Sequence, residues 1–251
     1  MPIHISAFTS SIAGDGVLHQ LDEVQDDVLP ASNLGLLTGV LNKLLGVAAV
    51  GATMTRAQFV APSLRNWGPQ DIEPINIGTA IESPPRAQIY YPAGVQLATS
   101  EEVDMYAAQD SGDPEDDYAF VWFMDGITPC PPGRMLQAHW TASTTLVAGT
   151  WSKFAVTLDN PLAAGTYAVV GAHVVSAGAI AFRFLPSGGP VWRPGGLAAQ
   201  AADQYDLPLQ RRGGLGQWMM FTNTTIPQME IFSESADTSE EGTWDLVPIG
   251  S

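Results

Sequence analysis

Four histidines, His4, His19, His139 and His173, stand singly along the chain, and no HxH, HExxH or CxxC spacing offers a metal cage. There is no GxSxG elbow for an activated serine and no phosphate loop ending in Gly-Lys-Ser/Thr. The glycine-rich run Gly213-Gly214-Leu215-Gly216 lacks dinucleotide-fingerprint spacing and has no strand–helix–strand context. A glycosidase needs two facing carboxylates. Asp104, Asp125, Asp159 and Asp245 are the candidates, and their pairing is not readable from sequence. Trp140, Trp151 and Trp192 suit stacking on a sugar ring and equally suit a core. His139 and His173 sit in apolar strand-like runs, where a satisfied core or interface histidine is the simpler reading. Cys130, the single cysteine, lies between prolines and reads as an inert connector residue.

Two loops carry the remaining polar chemistry. Gln109–Asp117, QDSGDPEDD, clusters five carboxylates, the oxygen chemistry a hard cation wants. The spacing across Asp110–Asp117 is not that of an EF-hand, and an exposed acidic turn is preferred to a Ca2+ site. Pro186–Gly216 shows almost no regular pattern and contains Trp192, Arg193, Tyr205, Arg211 and Arg212. A segment this long without structure of its own is usually functional or a contact loop, and Trp, Tyr and Arg are enriched at interface cores. These five are candidate subunit-contact residues; the alternative is that they fold back on the adjacent sheet.

The elements that would position these residues are mostly strands. Tyr118–Gly126, YAFVWFMDG, is the densest aromatic and β-branched run. The proline-rich Thr128–Gly133 ends it, because proline lacks the N–H a central strand needs. Gly165–Val175 echoes it after the break, as Tyr167, Ala168 and Val170 echo Tyr118, Ala119 and Val121. Ala93-Gly94 and Ala148-Gly149 repeat as upstream turns, so two similar β units in tandem are expected. Short β-forming runs separated by Gly, Pro, Asn and Asp continue from residue 54 to residue 248. One helix is expected, Ala31–Val50, capped by Ser32 or Asn33 and striped by Leu34, Leu37, Leu41, Leu44 and Leu45. Its apolar width makes Leu37, Leu41 and Leu44 further candidate contacts, after packing within the subunit.

The chain has 251 residues, 26 of them acidic against 10 basic, for a net charge of −16. Such a balance repels phosphate backbones and argues against direct nucleic-acid binding. With 45% hydrophobic residues the chain can bury a real core, and no signal peptide or transmembrane span is read from it. The expected fold is all-β: two tandem β-sandwich or jelly-roll units, 1–128 including the helix and 129–251.

Tyr118–Gly126, Leu162–Gly171 (LAAGTYAVVG), Val174–Phe184 (VVSAGAIAFRF), Trp192–Gly195 (WRPG) and Ser233–Val247 (SESADTSEEGTWDLV) give residues 90–251 a texture that resembles major capsid proteins of tailless icosahedral phages. The resemblance implies a jelly-roll subunit, two rolls in tandem, standing upright on a shell in which three subunits make a pseudo-hexagonal capsomer. In lipid-containing phages of that kind a membrane lies beneath. It also implies a non-catalytic virion protein without cofactors, made in the host cytoplasm, whose partners are its own copies and minor capsid proteins. A carbohydrate- or receptor-binding β-sandwich is the alternative, and a hydrolase on a β scaffold ranks third.

Overall fold

The computed structural model describes residues 3–24, 28–29, 31–32, 35–65, 77–78, 87–110, 112, 114–187, 192–201 and 208–249. The chain divides into two units, Ile5–Asp125, and Gly126–Ser251 with Met1–His4. Nearly all described secondary structure is β, in several largely antiparallel sheets.

The first unit contains β1 (Ile3–Ile12), β2 (His19–Gln20), β3 (Asp22–Glu23), β4 (Ala31–Ser32), β5 (Gly35–Leu37), β6 (Lys43–Val50), β7 (Met54–Val60), β8 (Ile77–Gly78), β9 (Gln88–Ile89), β10 (Val95–Gln96), β11 (Glu102–Gln109) and β12 (Glu115–Met124). The second contains β13 (Leu136–Ala142), β14 (Trp151–Phe154), β15 (Thr157–Leu158), β16 (Thr166–Val175), β17 (Ala179–Leu185), β18 (Gly195–Leu197), β19 (Met219–Thr222), β20 (Gln228–Ser233) and β21 (Glu240–Ile249).

In the second unit one sheet runs β15-β13-β21-β16-β19 and the other β14-β20-β17-β18. Setting aside the short β15, the first strand pairs the eighth, the second the seventh, the third the sixth and the fourth the fifth. One long antiparallel hairpin rolled over itself produces that order, which is the jelly roll. The first unit repeats three of its four pairings among the described residues. Its sheets contain β10-β6-β12-β1 and β2-β11-β7, so β1 pairs β12, β2 pairs β11 and β6 pairs β10. A fifth principal strand against β7 is not found among the described residues.

The Tyr-Ala-x-Val echo does not mark equivalent strands. Tyr118 lies in the last strand of its unit, β12, whereas Tyr167 lies in the third principal strand of the other, β16. The two Ala-Gly turns likewise precede non-equivalent strands, β10 and β14.

The helix expected over Ala31–Val50 is not formed; the described residues there make β4, β5 and β6. β6 pairs β12 from Val50↔Tyr118 to Lys43↔Met124. Leu44 through Val50 are buried at every position, so neither face of the strand shows polar residues. A short continuous apolar run lacks the period of two, and periodicity alone does not separate it from a buried helix. Three glycines, Gly35, Gly39 and Gly46, weigh against the helix. A Cβ on Gly46 would lie 2.5 Å from Ile89 Cδ1, so the close approach of β9 needs glycine there.

In the second unit, rings from both sheets fill the space between them. Trp140 on β13 meets Phe154 on β14 at 6.0 Å between centroids, and Trp244 on β21 meets Phe184 on β17 at 5.4 Å. Trp218 joins Phe184 and Phe182, and Phe221 joins Trp244. Offset and edge-on rings at such separations add to the burial of their large apolar areas. Phe8, Phe59, Phe120 and Phe123 are fully buried in the first unit.

Candidate functional site

The outer face of the β13-β21-β16 sheet carries three cross-strand rows of polar residues. On β13, Ala138 and Trp140 point inward, so Gln137, His139 and Thr141 face out. The pairing places Gln137 opposite Asp245 and Gly171, His139 opposite Thr243 and His173, and Thr141 opposite Glu241 and Val175.

Asp245 anchors the first row, fully buried. Arg211 donates to it through Nε at 2.8 Å and Nη2 at 3.2 Å, the Arg212 N–H donates at 2.9 Å, and Gln137 Nε2 at 3.1 Å. Burial raises the Asp245 carboxyl, but the Arg211, Arg212 and Gln137 hydrogen bonds outweigh it and hold the group below its ordinary value. Gly171 makes the arrangement fit: a Cβ there would come within 2.8 Å of Asp245 Oδ2 and of the Arg212 nitrogen.

In the second row Thr243 Oγ1 lies 3.0 Å from His139 Nδ1. A pocket of about 320 Å³ opens here, lined by His139, Asp159, His173, Glu241 and Thr243. His139 and His173 are on strands two spacings apart, roughly 10 Å between backbones. Zinc ligands must reach to about 2 Å of the ion, and among the described residues no three His, Cys, Asp or Glu converge for a metal. Asp159 meets His139 through the backbone, N–H to O at 3.0 Å, and the imidazole's Nδ1 is paired with Thr243 Oγ1.

The third row borders a cleft of about 500 Å³, lined on its polar side by Thr141, Ser176, Asp237, Ser239, Glu240 and Glu241. Ser176 Oγ and the Thr238 N–H donate to the two oxygens of Asp237. Glu240 is 1% exposed; its Oε2 accepts from the Thr144 N–H at 3.2 Å, and its buried Oε1 has no hydrogen-bond partner among the described residues. Burial, aided by the nearby charge of Asp237, pushes its carboxyl up to about 7.

A second buried ionic cluster lies on the other sheet. Arg183 and Glu230 face each other directly across β17 and β20, and Arg183 Nε donates to Glu230 Oε2. Arg193 Nη1 reaches the same oxygen at 3.1 Å, and the Arg183 guanidinium lies 4.1 Å above the Trp151 ring. The lone charges in AIAFRFL and QMEIFS were the available signal: a charge in an apolar strand needs a partner.

The expected contact residues divide. Leu41 and Leu44 are fully buried in the core of the first unit, and Leu37 is half-buried in β5. Arg211 and Arg193 fold back onto Asp245 and Glu230, Trp192 packs edge-on against His4 at 6.4 Å, and Arg212 is exposed. Tyr205 lies outside the described residues. Pro186–Gly216 is not devoid of structure, since it holds β18 and a 3-10 turn at Pro208–Gln210. Of the expected glycosidase carboxylates, Asp245 is occupied by arginine, and Asp104 accepts from Gln20 Nε2 at 2.9 Å. Trp140, for which stacking on a sugar and a core role were equally open, is 1% exposed and belongs to the core. Asp117, counted with the acidic loop, is fully buried in β12.

No family profile matches the chain, and a search of curated proteins finds no match. Among solved structures, the chain is similar to the major capsid protein P2 from bacteriophage PM2, with 11% identity over 99% of this chain and 98% of that one, at a TM-score of 0.27.

Proposed function

We propose that the protein is a structural virion component, a major capsid subunit that assembles with its own copies into an icosahedral shell and performs no catalysis. The observation that supports this reading best is the tandem repetition of one rolled-hairpin strand order. On this reading the chain carries two rolls in tandem, 1–128 and 129–251. Rolled sheets also leave few long flat edges on which copies would aggregate out of register. The net charge of −16 leaves genome contact to minor capsid proteins or an underlying membrane. Arg212, which is exposed, and Trp192 remain the contact residues of choice, with Tyr205 in the same segment, while Arg193 is engaged by Glu230.

Light scattering and negative-stain electron microscopy of the purified protein, across salt and pH, test the reading. Trimers, hexagonal plates or closed shells are the expected result. A monomer under every condition would overturn it in favour of a receptor-binding module.

A further inference from the structure

The second unit holds cations that its own fold leaves unused. Arg183, Arg193 and Arg211 are committed to Glu230 and Asp245. Arg134 and Arg212 are both exposed, and among the described residues neither guanidinium is held by a carboxylate. The two flank one apolar patch. Its centre is Ala168, Val170 and Val247, against which Cys130, Met135 and Ile249 pack while staying partly exposed. Val247 lies two residues beyond Asp245 and so shares the outer face of the sheet; Ala168 is opposite Val247, and Met220 opposite Ala168. Met220 is 55% exposed. The loop after Arg212 crosses the centre, with the Gly213 N–H donating to Val170 O at 2.6 Å. At the other margin, a Cβ on Gly133, next to Arg134, would lie 2.9 Å from Val247 Cγ1. Arg212 also has φ 52°, a backbone conformation that suits glycine better, and its N–H is pinned to Asp245. A strained position that nonetheless carries an exposed, unpaired charge points to a use outside the subunit.

We propose that this patch docks onto the acidic surface of a second copy of the same chain, with Met220, Met135 and Ile249 burying apolar area and Arg134 and Arg212 meeting carboxylates at the rim. Charge complementarity selects that occupant. Each copy has a net charge of −16, so two copies repel except where one of them reverses the local sign, and this patch does so. Met and Arg are also the residue types that interface cores favour over other surface. A phosphate backbone is the poorer partner, because two arginines do not offset the field of so acidic a chain. The inference rests on the capsid reading and names a contact for it. All the residues of the patch belong to the second unit.

Sedimentation velocity of the full chain over a concentration series tests the proposal. The wild-type chain should self-associate. Arg134→Gln and Arg212→Gln should each weaken the association about two- to fivefold, as loss of one exposed charge pair does, and together about tenfold. Met220→Asp, which puts a charge into the apolar centre, should weaken it at least about tenfold. Lys153→Gln removes the same charge from an exposed site on β14, in the other sheet, and should leave the association unchanged. Arg134→Gln and Met220→Asp keep the test readable if Arg212→Gln, in its strained loop, fails to fold. Association that the arginine and Met220 variants weaken no more than Lys153→Gln does overturns the proposal and leaves the capsid reading standing. A wild-type monomer at every concentration overturns both. If that monomer binds poly-glutamate through the same two arginines, the patch takes a different acidic partner, and the second copy is still ruled out.

Discussion

The two units share most of a strand order, and buried carboxylates in them meet different fates. In the second, Glu230 is shared by Arg183 and Arg193, and Asp245 is held by Arg211. In the first, Asp117 is fully buried and neither oxygen makes a well-formed hydrogen bond among the described residues. Burial pushes its carboxyl up to about 7, against a weaker downward pull from the Gln109 side chain. Glu230 and Asp245 are met by a counter-charge, whereas Asp117, like Glu240 in the second unit, is met by a proton. The same topology therefore imposes no particular electrostatic solution. What decides it is whether an arginine, from the facing strand as Arg183 or from a neighbouring loop as Arg211, reaches the carboxylate.

The largest effect that would break this contrast comes from Glu230→Ala. Removing one partner of a buried ion pair costs about 3–5 kcal/mol, and urea unfolding would measure it. A loss below about 1 kcal/mol would mean that solvent already screens the cluster. Next is Arg211→Met, which takes the bidentate donor from Asp245 and should cost about 2–3 kcal/mol near neutral pH. Asp245 is lowered in the folded state, so its contribution is present above the unfolded carboxylate value and is lost as pH falls through the folded one. The Arg211→Met deficit should therefore shrink in acid.

Asp117→Asn should act with the opposite sign. Between about pH 4 and 7 the folded chain keeps a proton on Asp117 that the unfolded chain has released, so that acid's contribution falls as pH rises and levels off above about 7. The variant should flatten that slope and gain about 1–2 kcal/mol at pH 8, within the cost of an unsatisfied buried polar group. Thermal melts of both proteins from pH 4 to 8 would show it; parallel curves would mean Asp117 is ionised without penalty. The smallest effect belongs to Arg212→Gly. Arg212 is exposed and has φ 52°, in the left-handed region, while only its backbone N–H contacts Asp245. Relief of that strain, set against the greater freedom of glycine when unfolded, should leave a gain of about 0.5 kcal/mol or less.

The sequence by itself determined the all-β class and the positions of most strands. Alternation in Leu136–Ala142, the aromatic run ending at Met124 and the prolines of Thr128–Gly133 act within a few residues of themselves. Local stereochemistry is enough to read them. The Lys43–Val50 run was not legible, because a strand covered on both faces shows no alternation and its identity rests on β12, whose paired residues lie 68 to 81 positions away. Only the tertiary structure decided which strand orders repeat, and it showed the Tyr-Ala-x-Val echo to lie in non-equivalent strands. The pairing of charges was decided there too. Arg211 and Asp245 are 34 positions apart, Arg183 and Glu230 47, and Glu240 and the Thr144 N–H 96. A lone charge in an apolar strand announces that it needs a partner, but hydrogen bonding across a sheet depends on register, and register is a property of the folded chain.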